Sequence, residues 1–246
     1  MVVFGVLIAL YAQQWASDRQ SRQAASDAER RIRAEIFENA FFAAERIALH
    51  QCLQQRLAQI AERLNEGASD WKSFAYGYTD DDLFRVRRVY RMPSRDWIDD
   101  AYRGALSSGA LDSVAPERRA QWSALYRSFT NSEQINLQEN ERSPEIDSLW
   151  LDGEVIGNDR RRLLQTVAKL DRDNGLITLI ARQSFEQMKE LGYRTTADEQ
   201  RELQDTLTGP EALAGAGRGL AIKRKIYGRC VDANAFKLFD PAIKTD

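Results

Sequence analysis

Apolar residues recur at helical spacing in two long stretches of the chain. In both stretches the charged and amide side chains occupy the other faces, which is typical of a helix with one buried face. The pattern therefore predicts two long helices, near 15–65 and 159–191, that pack antiparallel. The first apolar stripe consists of Ile32, Ile36, Ala40, Ala43, Ile47, Leu53, Leu57, Ile60 and Leu64, and the second of Leu163, Val167, Leu170, Ile177, Ile180, Met188 and Leu191.

Shorter helices are predicted between and after the two long ones. Ser94 has the chemistry of an N-cap, Pro116 suits the first turn of a helix, and Thr196 with Glu199 forms a capping-box pattern. The chain contains only 14 Gly and 5 Pro, so few positions interrupt a helix. The sequence thus predicts an all-α fold, an elongated antiparallel helical bundle built on the two long helices.

The first twelve residues are apolar and uncharged, which predicts a membrane segment. Residues 1–16 would be the C-terminal part of a transmembrane helix that is truncated in this chain, with Tyr11 and Trp15 at the membrane interface. Residues 17–246 would then form a single helical domain. A cleaved signal peptide and an ordinary buried helix are the alternatives. Arginines that follow the apolar run favour a cytoplasmic flank by the positive-inside rule.

Charge and composition exclude several classes of protein. Hydrophobic residues make up 43% of the chain, enough to bury a core, and 35 Lys and Arg face 37 Asp and Glu. Near-zero net charge argues against a dedicated nucleic-acid binder. A single His leaves little material for a zinc site, and no catalytic motif is recognisable. We therefore expect no catalytic residue, no metal and no cofactor.

The chain has two cysteines, Cys52 and Cys230, without the spacing of a metal or redox motif. In an exported domain such a pair suggests one disulfide, whereas two unrelated buried thiols are the alternative. We predict the disulfide, because it would hold a C-terminal segment with few apolar residues against the first long helix. The bond would also require an oxidising compartment.

Two compositional clusters lie between the long helices. Five arginines in 85–95 could bind phosphate, nucleic acid or anionic headgroups, but a solvated face paired with nearby Asp side chains is the simpler interpretation. A concentration of aromatic residues would either close one end of a bundle or form a partner surface. The candidate partner surface consists of Trp71, Phe74, Tyr76, Tyr78, Tyr90 and Trp97.

Two sequence features together resemble a loose group of uncharacterised bacterial single-pass membrane proteins. The first is the apolar run that ends in Ala12-Gln13-Gln14-Trp15 before Arg19. The second is Trp97, Ala101 and 106–111, followed by Arg118-Arg119 and Leu125-Tyr126. The resemblance implies a short N-terminal anchor in the inner membrane and an all-helical domain in the periplasm. It implies no activity and no cofactor.

These observations predict a non-enzymatic, membrane-anchored helical domain that binds or supports a protein partner in the cell envelope. The lipid bilayer would be contacted through the N-terminal helix, and self-association is one form that the protein contact could take. A ligand-sensing extracytoplasmic bundle and an enzyme with an unrecognised site are the alternative functions.

Overall fold

The computed structural model describes residues 2–67, 70–73, 88–209 and 219–241. Helix accounts for 77% of the structure, which confirms the all-α prediction. The α-helices are α1 (Val2–Asn65), α2 (Asp100–Ser107), α3 (Pro116–Arg142), α4 (Gly157–Glu190), α5 (Ala197–Thr208) and α6 (Leu220–Tyr227). Two 3₁₀ helices span Ser143–Trp150 and Ala233–Leu238, and the antiparallel strands β1 (Asp70–Trp71) and β2 (Gly153–Glu154) form one small sheet.

Helix α1 is one continuous helix of 64 residues, but only part of it is buried. From residue 10 to residue 24 every side chain is exposed, and Ala25 is the first buried one. From Ile32 to Leu64 the predicted apolar stripe lies in the core. Helix α1 therefore has a buried part, which other elements cover, and an N-terminal part that projects from them.

Helix α4 packs along the buried part of α1, while α3 packs on α4 and reaches α1 through side-chain hydrogen bonds. On α4, Asn174 and Thr178 contact His50 of α1, while Glu199, beyond the end of α4, contacts Arg33. The described contacts thus join α1 to α4 near His50 and to α5 near Arg33. Helix α3 follows α1 in the same order, since Tyr126 of α3 contacts Ile32 and later residues of α3 contact later residues of α1.

A non-helical segment, residues 88–99, lies between α1 and α3 and is here called the strap. The Asn39 side chain of α1 bonds both the N–H and the C=O of Ile98, at 2.9 and 2.6 Å. The predicted N-cap Ser94 is wrong, because Ser94 lies within the strap and α2 begins at Asp100. Glu35 accepts hydrogen bonds from two amides in the first turn of α2, so a carboxylate from another helix satisfies groups that an N-cap would have satisfied.

The C-terminal segment packs across the middle of α1. Cys230 and Cys52 form the predicted disulfide, with their Cα atoms 5.2 Å apart. The Asp232 amide donates to the Ala48 carbonyl, and Phe236 and Phe239 pack on aromatic rings of α1. Both covalent and non-covalent contacts therefore hold this segment.

Among the described residues, no helix combines the length and the apolar character that crossing a bilayer requires.

The disulfide should contribute measurably to stability. Replacing both cysteines (Cys52→Ala with Cys230→Ala) is expected to lower the free energy of unfolding by about 2–5 kcal/mol, because the unfolded chain loses a long covalent loop. The aromatic contacts of the C-terminal segment should preserve the helical circular-dichroism spectrum. Urea denaturation measures the change. A reductant should lower the wild-type midpoint and leave that of the double variant unchanged; free thiols in peptide maps of the unreduced protein would contradict the bond.

Candidate functional site

Two neighbouring charged residues of α1, Glu45 and Arg46, are buried in the core. Arg46 donates to Glu139 of α3 at 2.6 Å, and both side chains are almost completely buried. The Tyr90 hydroxyl of the strap lies 3.5 Å from the same carboxylate. An ion pair at this depth has to supply the interactions that water supplied in the unfolded chain.

The neighbouring carboxylate, Glu45, has two cationic partners from different elements. Lys223 of α6 approaches it at 2.8 Å, and Arg95 of the strap donates to both of its oxygens at 2.9 and 3.1 Å. Burial by itself would raise the pKa of Glu45, but Lys223 and Arg95 together lower it to about 2. Glu45 is therefore ionised at neutral pH and joins the strap to α6.

Burial of the Arg46–Glu139 pair is compensated less completely than burial of Glu45. Burial raises the pKa of Glu139, and the Arg46 guanidinium acts against that rise. Among the described residues, neither Nε nor Nη1 of Arg46 has a hydrogen-bond partner. Glu139 is also flanked by Asp173, which pairs with Arg142. Glu45, Glu139 and Asp173 are thus each engaged by a cation, which orients the elements that carry them.

Several cavities lie among the described helices. One of about 280 Å³ lies between α1, α3 and the end of α4, where Arg118 stacks on Trp122 and Arg33 stacks on Tyr193. A groove of about 620 Å³ separates α1 from α4 near Leu57. A cleft of about 140 Å³ lies between the strap and α6 and has Glu45 in its wall.

The aromatic residues of the candidate partner surface are only partly described. Trp71, Tyr90 and Trp97 are 5%, 0% and 9% exposed and belong to the core. Trp71 donates to the Leu149 carbonyl at 2.7 Å, and the Trp97 ring packs between the rings of Phe42 and Phe129. This corrects the prediction that these three side chains form a partner surface. They pack in the core, where a partner could not reach them.

The other members of that candidate surface, Phe74, Tyr76 and Tyr78, lie outside the described residues. The candidate membrane-interface residues, Tyr11 and Trp15, are exposed on the projecting part of α1. Within the described ranges no cluster of three potential metal ligands occurs.

Sequence reasoning missed the buried charges, although the sequence carries a signal for one of them. Ile32, Asn39, Arg46 and Leu53 follow one another at seven-residue intervals, so a charged residue occupies a position of the apolar stripe. A charge in such a position requires a buried partner. No local pattern identifies Glu139 as that partner, because it lies on another helix.

The chain matches no protein-family model, no curated protein and no solved structure.

Breaking the buried Arg46–Glu139 pair should destabilise the fold strongly, whereas replacing both residues with apolar ones should destabilise it much less. Glu139→Leu leaves the Arg46 charge buried without compensation and is expected to lower the free energy of unfolding by about 3–5 kcal/mol. Arg46→Met combined with Glu139→Leu should recover much of that loss, because it removes the unpaired charge. Urea denaturation measures both. Arg201→Ala, in the exposed Asp198 pair, is the control and should change little; a double variant no more stable than Glu139→Leu would contradict this account.

Acid should weaken the fold through Glu45. Because its folded-state pKa is depressed from 4.5 to about 2, its stabilising contribution is present above pH 4.5 and is lost as the pH falls towards 2. Relative to Glu45→Gln, the wild-type chain should lose about 3 kcal/mol of unfolding free energy over that interval. Urea denaturation at a series of pH values measures the difference. Parallel pH profiles for the two proteins would show that the pKa of Glu45 is not depressed.

Proposed function

We propose that this chain is a non-enzymatic helical domain, held at a membrane by the projecting part of α1, that binds or supports a protein partner in the cell envelope. In this proposal the helices form an elongated antiparallel bundle that extends from the bilayer. The observation that carries the proposal is a set of large apolar side chains on the projecting part, each more than half exposed: Phe4, Leu7, Ile8, Leu10, Tyr11 and Trp15.

Exposure of these side chains to water is unfavourable, and a bilayer would relieve it. Burying one large apolar side chain contributes about 1.5–3 kcal/mol, so the set together would drive strong association with an apolar phase. Tyr11 and Trp15 lie where the apolar residues give way to Asp18 and Arg19, and Arg19 stacks on the Trp15 ring. Aromatic rings at such a boundary suit the interface between lipid and water.

The disulfide and the resemblance to single-pass bacterial membrane proteins favour one location. Disulfides persist in oxidising compartments and are rare in the cytosol. We therefore propose an inner-membrane protein with a single membrane segment, residues 1–16, and a periplasmic domain, residues 17–246. The arginines that follow the apolar run favour the opposite orientation, and in this proposal the disulfide outweighs them.

A binding or supporting role suits the way in which charge is used in the core. Glu45, Glu139 and Asp173 are each paired with cations, so they hold elements together. Catalytic carboxylates are instead placed where a substrate can reach them. The domain would therefore act by presenting a stable surface, either to another protein or to a second copy of the chain.

Vesicle flotation tests the membrane part of the proposal. The full chain should float with vesicles of zwitterionic lipid, and Leu7→Asp with Ile8→Asp should abolish flotation, because two charges would enter the hydrocarbon. Gln13→Asp with Gln14→Asp is the matched control: it adds the same charge to the same exposed segment at the interface and should largely retain flotation. A wild-type chain that stays in the aqueous fraction, or equal loss in both variants, would contradict the membrane attachment.

Cross-linking tests the partner part. In membranes of the native host, a cross-linker should join the wild-type chain reproducibly to one protein or to a second copy, with that product surviving mild detergent. A chain that remains uncross-linked at native abundance would contradict a partner-binding role.

A further inference from the structure

The projecting part of α1 has one face on which aromatic rings give way to arginines. Tyr11, Trp15, Arg19 and Arg22 follow one another at intervals of four, four and three residues, so they lie on the same side of the helix. All four side chains are exposed. This set of four is here called the arginine face, and it changes from aromatic to cationic within two turns of the helix.

Both guanidinium groups of the arginine face lean towards the N-terminus of α1. Cζ of Arg19 lies 5.7 Å from the centre of the Trp15 ring, and Nε of Arg22 donates to the Asp18 carbonyl oxygen at 3.2 Å. Side chains of an α-helix tilt in this direction because of the geometry of the Cα–Cβ bond. Each charge therefore lies about one turn closer to the proposed bilayer than the backbone that carries it.

Among the described residues, neither arginine of this face is paired with a carboxylate. Farther along α1 the situation differs, since Arg30 pairs with Asp27 at 2.5 Å. Asp18 is the carboxylate closest in sequence to the arginine face, and it partly offsets the two positive charges. Residues 16–24 contain two arginines and one aspartate, so their net charge is +1.

We propose that the arginine face binds the headgroups of anionic phospholipids. This inference rests on the proposed membrane attachment and names the class of lipid that the attachment prefers. The headgroup layer on each side of the hydrocarbon is about 5–8 Å thick. If the hydrocarbon ends at Trp15, the Arg19 guanidinium lies at the level of that ring and the Arg22 guanidinium about 5 Å farther out, so both lie within the layer.

The chemistry of the headgroup decides between lipid classes. Guanidinium groups present N–H donors in a geometry that matches phosphate oxygens. A zwitterionic headgroup carries its own cation beside the phosphate, whereas an anionic one leaves the phosphate charge uncompensated. At a surface potential of about −30 mV, one net positive charge near the surface should strengthen attachment about threefold. A lipid also brings an apolar phase for Trp15 to the same place, which free phosphate does not.

Vesicle titration of the full chain tests the proposal. The measured quantity is the lipid concentration at which half of the chain floats, first with zwitterionic vesicles and then with vesicles that contain about 30% phosphatidylglycerol. The wild-type chain should need about threefold less of the anionic vesicles. The difference should disappear at about 1 M salt, where the Debye length is about 3 Å.

Two variants should move this ratio in opposite directions. Arg19→Gln with Arg22→Gln changes the net charge of 16–24 from +1 to −1, so this double variant should need about threefold more of the anionic vesicles than of the zwitterionic ones. Asp18→Asn raises the net charge to +2 and should increase the preference for anionic vesicles to about tenfold.

Arg30→Gln with Arg31→Gln is the matched control. It removes two positive charges from the same helix, but their backbone lies about 22–24 Å beyond Trp15, farther than the Debye length of about 8 Å at physiological salt. The control should therefore keep the wild-type ratio.

Each result supports or overturns the proposal. Ratios that follow the net charge of 16–24, with the control unchanged, support it. Equal half-flotation concentrations of the two lipids for the wild-type chain, or the same shift in the control as in the Arg19 and Arg22 double variant, would overturn it and leave the membrane attachment intact. A ratio that inorganic phosphate reduces to one at matched ionic strength would show a site for the free anion and overturn the assignment to lipid. A chain that floats with neither kind of vesicle would overturn both this inference and the membrane attachment.

Discussion

The apolar stripe of α1 is the constraint on which the rest of the structure depends. From Ala25 onwards, each turn of this helix presents apolar side chains that have to be removed from water, and α4, α2 and the C-terminal 3₁₀ helix pack directly against it. Helix α4 covers the stripe along its length, α3 packs on α4 and reaches α1 through side chains such as Glu139, and the C-terminal segment covers the middle of the stripe. Before Ala25 every described side chain of the helix is exposed, including the apolar ones between Phe4 and Trp15. The same helix thus organises the domain and supplies the segment proposed to attach it to a membrane.

Charged residues within the stripe determine how the other elements align with it. Apolar contacts tolerate sliding of one helix along another, whereas a buried charge requires one particular partner at one level of the helix. Arg46 fixes the level of α3 through Glu139, and Glu45 fixes the strap and α6 through Arg95 and Lys223.

The features that could be predicted from the sequence are those encoded by near neighbours. The stripe of α1, the start of α3 at Pro116 and the capping box of Thr196 with Glu199 all follow from spacings of a few residues. The disulfide is an exception that follows from counting, since the chain has only two cysteines. Ser94 failed as an N-cap because a distant carboxylate, Glu35, supplies that function. The buried ion pairs could not be predicted for the same reason: the partner of each charge is chosen by the packing of separate helices.

Amide hydrogen exchange along α1 tests the central claim, that one helix has a buried part that organises the domain and a projecting part that attaches it. In water, strong protection should begin near Ala28 and continue to about Leu64, while residues 4–24 exchange quickly. Vesicles of zwitterionic lipid should then protect residues 4–15 and leave the pattern from Ala28 onwards unchanged. Strong protection of residues 4–24 in water, or no added protection of residues 4–15 with vesicles, would contradict the account.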